Sequence, residues 1–81
     1  MLESRKHQRK HLGIRGWIRG GNGATLSCYI KDISVGGAML HVSAETEIPD
    51  SFRLYFNERT STYRNCAVRW RKIGSVGVQF E

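Results

Sequence analysis

Apolar and polar residues alternate with a period of two along most of this chain. That pattern is typical of β-strands that bury one face and expose the other. We expect six strands, whose apolar positions begin in turn at Leu12, Leu26, Ala38, Phe52, Cys66 and Val76. Because turn signals recur about every 8–12 residues and no stretch has the period of an amphipathic helix, we predict an all-β fold, a small six-stranded antiparallel β-barrel.

Glycine-rich and polar segments separate the predicted strands. The run Gly20-Gly21-Asn22-Gly23 is the clearest hairpin turn, because glycine and asparagine adopt the positive φ that tight hairpins need. The segment from Ser43 to Ser51 contains the single proline, Pro49, and we expect a loop there with at most a short helical turn.

The first eleven residues are basic and show no apolar period. We therefore expect a flexible basic arm over residues 1–11 and a barrel domain over residues 12–81. A chain of 81 residues is long enough for one domain only. The sequence given stops at Glu81, directly after the last predicted strand, so we expect no C-terminal helix.

The balance of charge favours an anionic partner. Thirteen lysine and arginine residues against seven aspartate and glutamate residues give a net charge of +6. A nucleotide, a nucleic acid or an acidic surface would each match this charge. A basic domain whose charge only keeps it soluble is the remaining alternative.

Cysteine and histidine usage indicates the compartment and argues against metal binding. Cys28 and Cys66 form no C-x-x-C pair, and we interpret both as buried thiols in a reducing cytoplasm. No signal peptide begins the chain and no apolar run approaches the ~20 residues of a membrane helix, so we expect no membrane partner. His7, His11 and His41 have no metal-like spacing with the cysteines, so we expect no metal site.

The segment Asp32-Ile33-Ser34-Val35-Gly36-Gly37 interrupts the alternation with residues that strand interiors disfavour. Strand parity places Asp32 inward, where a carboxylate must cap the loop backbone or meet a cation. One hypothesis is that Asp32 accepts N1–H and N2–H of a guanine, Ser34 donates to the ligand, and Gly36 and Gly37 leave room for a ring or phosphate. The alternative is a tight turn capped by aspartate and serine.

A second motif, Arg5-Lys6-His7-Gln8-Arg9, lies in the basic arm and has the form R-x-x-x-R. Two guanidinium groups on an arm could close over a ligand and bind phosphate oxygens or the O6 and N7 atoms of guanine. A solvated basic tail is the alternative. Trp70 could stack on a base, but its parity with Val68 and Cys66 favours core packing over stacking.

Together these residues resemble the PilZ domain family of bacterial receptors for cyclic di-GMP. Arg5 and Arg9 match the R-x-x-x-R motif of the family. Asp32, Ser34 and Gly37 match its second motif, D/N-x-S-x-x-G, after a spacing of 22 residues. The closing segment from Val68 to Phe80 also looks like the last hairpin of the family, so the resemblance covers essentially the whole chain.

The resemblance implies a six-stranded barrel that binds cyclic di-GMP on its outer surface, under the arm. It implies contacts from the residues of both motifs. Ser4, Lys6 and Trp70 are further candidates for ligand contact. The residue before the first motif, Ser4, is small and should not obstruct stacking of two ligand molecules. Many relatives carry a helix after the last strand, so here the barrel end is either open or covered by a second copy of the protein.

Three functions follow from these observations. The first is a cyclic di-GMP receptor that changes the conformation of its arm and passes the signal to an unidentified protein effector. The second is a basic small-barrel module for single-stranded nucleic acid, in which Arg15, Arg19, Arg69 and Arg71 bind the backbone beside Trp17 or Trp70. The third is a barrel that only mediates protein contacts. No nucleophile-and-base signature appears, so we expect neither an enzyme nor a cofactor.

Overall fold

The computed structural model describes residues 10–21, 23–57, 59 and 61–81. Most of them lie in six strands, and the described residues include no helix. The strands are β1 (Lys10–Arg19), β2 (Thr25–Ile33), β3 (Gly37–His41), β4 (Ser51–Tyr55), β5 (Tyr63–Lys72) and β6 (Ser75–Phe80). They close into an antiparallel barrel in the order β1-β2-β3-β6-β5-β4, with β4 paired to β1. The predicted fold is therefore confirmed. Within the described part of the chain, no helix is long and apolar enough to span a membrane.

The barrel interior is filled by the apolar residues that alternate along the strands. Ile18, Ile30 and Leu54 have no exposed surface and come from three different strands. Burial of each such side chain contributes about 1.5–3 kcal/mol to folding. Cys28 and Cys66 are also buried, and both thiols are free. The interpretation of the cysteines as small core residues is therefore confirmed.

A bulge interrupts β1 close to its start. The register with β2 shifts between His11 and Ile14, and Gly13 in this stretch has a φ of 61°. Glycine adopts this left-handed conformation without steric cost, which is why it suits a bulge. β1 begins at Lys10, two residues before the strand predicted from Leu12. Ile14 keeps the inward register position, but it is 42% exposed.

Two predicted connections take well-defined forms. The N–H of Gly23 donates to the carbonyl of Gly20 at 3.1 Å, and Gly23 has a φ of 84°, which confirms the turn after β1. Between β3 and β4, the N–H of Thr46 donates to the carbonyl of Ser43 at 3.0 Å. This loop therefore contains a hydrogen-bonded turn but no helix.

A bulge in β5 reverses the direction of the side chains that follow it. Val68 lies opposite Val78 and Trp70 lies opposite Gly77, so β5 has one more residue than β6 between these pairs. An extra residue moves every later side chain to the other face of the sheet. The preference for Trp70 as a core residue is therefore wrong, since Trp70 is 40% exposed on the barrel surface.

After the bulge, Arg71 lies opposite the buried Val76, and its side chain is partly exposed. Its Nη1 donates to the carbonyl of Ile48 at 2.6 Å, and its Nη2 lies 2.6 Å from the carboxylate of Asp50. These bonds fasten the β3–β4 loop, whose Ile48 is buried although it lies outside the strands.

Candidate functional site

The polar segment after β2 forms a loop that is fastened on both sides by its backbone. The N–H of Ser34 donates to the carbonyl of Gly37 at 2.8 Å and closes the loop. The N–H of Phe80 donates to the carbonyl of Gly36 at 2.9 Å and ties the loop to β6. The prediction of a shaped loop between two strands is therefore confirmed.

The two glycines of this loop differ in what surrounds them. Neither has a positive φ, which among the described residues occurs only at glycines 13, 23 and 74. A β-carbon on Gly37 would overlap the carbonyl oxygen of Val78, whereas a β-carbon on Gly36 would meet open space. Gly37 is therefore required for the close approach of β3 and β6. A contact of either glycine with a ligand stays a prediction.

Among the described residues, Asp32 is the one charged residue that is buried. It is 6% exposed and lies opposite His11 in β1 and Met39 in β3. A bulge shifts the register between Ile30 and Asp32, so Ile30 pairs with the buried Leu40, whereas Asp32 pairs with Met39 on the opposite face. Asp32 is therefore buried on the outer side of the sheet, and its predicted inward position is wrong. Burial of a carboxylate requires polar partners. Asp32 has an interaction partner. Every buried side-chain nitrogen or oxygen of the described residues forms a hydrogen bond.

A groove of about 410 Å³ opens beside this loop. Asp32, Ser34 and Gly37 line one side, and Arg69 and Trp70 of β5 line the other. Sites for small molecules are typically about 300–1,000 Å³ and combine apolar surface with a few polar groups. The groove therefore has the size and the composition for a polar ligand with flat rings.

Gly77 leaves the space that the Trp70 indole occupies at the groove. A β-carbon on Gly77 would overlap the indole of Trp70, so the ring lies directly against the glycine backbone. Covering a cross-strand glycine with an aromatic ring is a known way to stabilise such a pair. The ammonium of Lys72 lies 5.5 Å from the centroid of the indole. Together these contacts hold the ring at the wall of the groove.

Further lining residues were missed as members of this site, among them three with long side chains. Arg69 is the extra residue of the β5 bulge, Gln79 lies opposite Gly37, and Met39 lies opposite Gly77. Their place depends on the bulge and on the pairing of β3 with β6, which alternation within one strand does not give. Glycine inside a strand often marks a bulge or a close approach, so Gly77 is the one signal that could have indicated this wall.

The arm residues predicted to contact the ligand, Ser4, Lys6 and the two arginines Arg5 and Arg9, lie outside the described residues. The pairing of β1 with β2 begins at Lys10 opposite Ile33. Paired strands lie about 4.8 Å apart. The first described residue of β1 is therefore next to the strand end that leads into the polar loop.

Among the described residues that line two other depressions on the barrel, none belongs to either motif. One of about 500 Å³ lies beside Arg19 and Arg53, and one of about 790 Å³ lies between the β1–β2 turn and the β3–β4 loop. They are larger than the groove, but neither contains a residue of the polar loop. Among the described residues, no group of three or more histidine, cysteine or acidic side chains is placed to bind a metal ion.

The comparisons with known proteins agree with the resemblance carried by the motifs. The model of the PilZ domain matches residues 3–81, nearly the whole chain. None of the curated proteins compared with the chain matches it. PilZ domains are binding domains that receive cyclic di-GMP and act through effector partners. Because the match spans both motifs and every strand of the barrel, this chain belongs to the PilZ domain family.

Proposed function

We propose that this chain is a cytoplasmic receptor that binds cyclic di-GMP in the groove beside the polar loop. The observation that carries the proposal is that Asp32 and Ser34 line a groove of suitable size together with Trp70 and Arg69. The sequence motif and the side chains of β5 thus meet at one place on the surface. Nothing in this function requires a catalytic group.

The groove offers a partner for each kind of group in the ligand. The carboxylate of Asp32 accepts the two adjacent N–H groups of guanine, which no other nucleobase presents in that arrangement together with O6. The hydroxyl of Ser34 donates to a phosphate or base oxygen, and Arg69 binds phosphate with its planar fork of donors. The exposed indole of Trp70 provides a face for stacking, which contributes about 1–3 kcal/mol per base.

The arm completes the site in this proposal. Arg9 immediately precedes Lys10, which pairs with Ile33 at the end of β2. Arg5 and Arg9 close over the bound ligand and hold a phosphate and a guanine. Lys6 adds charge, and the small side chain of Ser4 leaves space for a second stacked ligand molecule. Ordering of the arm over the ligand presents a new surface to a protein effector.

Isothermal titration calorimetry with cyclic di-GMP tests the proposal, with GTP and a short single-stranded DNA as controls. We expect saturable binding of cyclic di-GMP alone. Asp32→Asn and Arg9→Ala should each weaken it at least about tenfold, or 1.4 kcal/mol. Glu47→Gln and Arg59→Ala make the same changes in charge at exposed positions outside the groove and should leave the affinity unaltered.

Two results would contradict the proposal. The first is an affinity unchanged by Asp32→Asn in a variant whose circular dichroism shows a folded barrel. The second is no heat with cyclic di-GMP but salt-sensitive binding to the single-stranded DNA, which would favour the nucleic-acid module. That alternative also predicts that loss of the Asp32 charge strengthens DNA binding.

A further inference from the structure

A second basic surface lies on β1, β4 and β5, away from the groove. We define the Arg–Tyr cluster as Arg19, Arg53, Tyr55 and Tyr63. The guanidinium of Arg19 lies 5.4 Å from the ring centroid of Tyr55, and that of Arg53 lies 4.5 Å from the ring centroid of Tyr63. The two tyrosine rings are 5.3 Å apart. None of these residues lines the groove beside the polar loop.

The pairing of β1 with β4 places Arg19 directly opposite Arg53. Like charges at directly opposite positions of an antiparallel pair destabilise the sheet. Among the described residues, no carboxylate lies within ion-pair distance of either arginine, whereas Arg71 pairs with Asp50. Within the described part of the chain, these two juxtaposed cations therefore have no internal counter-charge and are placed to bind an external anion.

The described outward positions around the cluster, on β1, β4 and β5, also carry no acidic side chain. These positions are Arg15, Trp17, Arg19, Ser51, Arg53, Tyr55, Tyr63, Asn65 and Ala67. The depression of about 500 Å³ is lined by both arginines and by Gly20 and Gly21. Among the described residues, Glu81 is the one acidic residue that lines it. The surface is thus cationic and partly concave.

The aromatic contacts fix how the guanidinium groups are presented to an anion. Here Tyr55 and Tyr63 each lie under a guanidinium, and Arg15 lies 5.3 Å from the ring centroid of Tyr29 in the same way. Stacking leaves the edges of a guanidinium, which carry its N–H donors, available for bidentate bonds to carboxylates.

We propose that the Arg–Tyr cluster is the docking surface for an acidic segment of a partner protein, whose carboxylates bind between Arg19 and Arg53. The barrel is closed, so its strands are paired around the ring and the partner is recognised by side chains rather than by an added strand. The tyrosines hold the guanidinium groups in place before the partner arrives, which reduces the entropy lost on binding. The surface shares no residue with the groove, so this inference does not depend on the ligand proposed there.

Fluorescence anisotropy with a labelled decaglutamate peptide tests the docking surface. Replacement of both arginines, Arg19→Gln with Arg53→Gln, should weaken binding of the peptide at least about fivefold. The matched control is Arg64→Gln with Lys31→Gln, which removes the same two charges from an aromatic-stacked arginine and from an exposed lysine outside the cluster and the groove. The control should change the affinity by less than about twofold.

Equal losses in the two double variants would overturn the inference, because net charge alone would then explain binding. Tighter binding of a ten-nucleotide oligothymidylate than of decaglutamate, lost with the same arginine pair, would also overturn it in favour of nucleic acid. A measurement on the unaltered protein removes any dependence on folding of the variants. Amide chemical-shift changes with decaglutamate should concentrate on β1 and β4 around Arg19 and Arg53, and changes spread over the whole barrel would contradict a defined site.

Discussion

The groove and the Arg–Tyr cluster are built by different kinds of strand pairing. At the cluster, β1, β4 and β5 pair without interruption, so outward residues stay outward and two arginines meet on neighbouring strands. At the groove, bulges shift the register of β2 with β3 and of β5 with β6. The polar loop connects β2 to β3 there. Regular pairing thus makes a flat charged face, whereas irregular pairing makes a concavity that mixes carboxylate, hydroxyl, guanidinium and indole groups.

The largest expected effect comes from the close approach of β3 and β6 beneath the groove. Gly37→Ala places a methyl group against the carbonyl of Val78, which the backbone must move to accommodate. Overpacking of this kind typically costs about 1–3 kcal/mol, and we expect the upper part of that range because backbone rather than side chain must move. Urea unfolding followed by circular dichroism measures the free energy of unfolding.

The neighbouring glycine provides the control for that prediction. Gly36→Ala adds a methyl group into open space at an ordinary φ, so its free energy of unfolding should stay within about 0.5 kcal/mol of the original chain. Equal destabilisation by both variants would contradict the role given to Gly37.

A smaller effect is expected at the contact of Trp70 with Gly77. Gly77→Ala should lower the free energy of unfolding by about 1–2 kcal/mol, because its methyl group displaces the indole. The same substitution in a Trp70→Ala background should cost much less, since the obstructing ring is gone. A double-mutant cycle measures this coupling, and additive effects of the two substitutions would show that the ring does not depend on the glycine.

The core that lies under both surfaces gives the chain a stability that depends on pH. Burial raises the pKa of Cys28 from its ordinary value of 9.0 to about 11, and burial raises that of Cys66 to about 12. The folded chain therefore retains both protons where the unfolded chain loses them. The stabilisation is fully present below pH 9 and is lost as the pH rises through 11 and 12.

Thiol reactivity checks this pH dependence. At pH 8 the folded chain should react with a disulfide reagent at least about a hundredfold more slowly than the urea-unfolded chain, because the thiolate fraction falls about tenfold per unit of pKa. Cys28→Ala should reduce the loss of stability above pH 9. Fast labelling of both thiols in the folded chain would contradict their burial.

Sequence patterns predicted the regular part of the molecule better than the groove. Alternation gave the strands and the inward residues between the bulges, because a residue's face within a regular strand depends only on its neighbours. It misplaced Asp32 and Trp70, because single extra residues in β2 and β5 reverse the faces after Ile30 and Val68. The groove depends on such a shift, and the shift is set by packing between strands far apart in sequence.

The candidate site likewise has one part that the sequence predicted and one part that it did not. The D-x-S-x-x-G motif identified the loop, since aspartate, serine and glycine are unusual inside a strand. The sequence did not predict the opposite wall of the groove, with Arg69 and Gln79. The strand order of the barrel places β5 and β6 beside the loop, and alternation within single strands does not give that order. The sequence also did not predict that Arg19 lies opposite Arg53, because that register is set by the closure of β4 onto β1.

The two tryptophans provide the most direct test of the central claim, that cyclic di-GMP binds in the groove. Trp70 lines the groove, whereas Trp17 lies on the outer face opposite Tyr55, beside the Arg–Tyr cluster. Each indole N–H gives one resolved signal in a two-dimensional ¹⁵N–¹H spectrum recorded during titration with cyclic di-GMP. We predict a saturable shift of the Trp70 signal with the Trp17 signal unchanged. A shift of the Trp17 signal alone, or no shift of either at saturating ligand, would contradict the account.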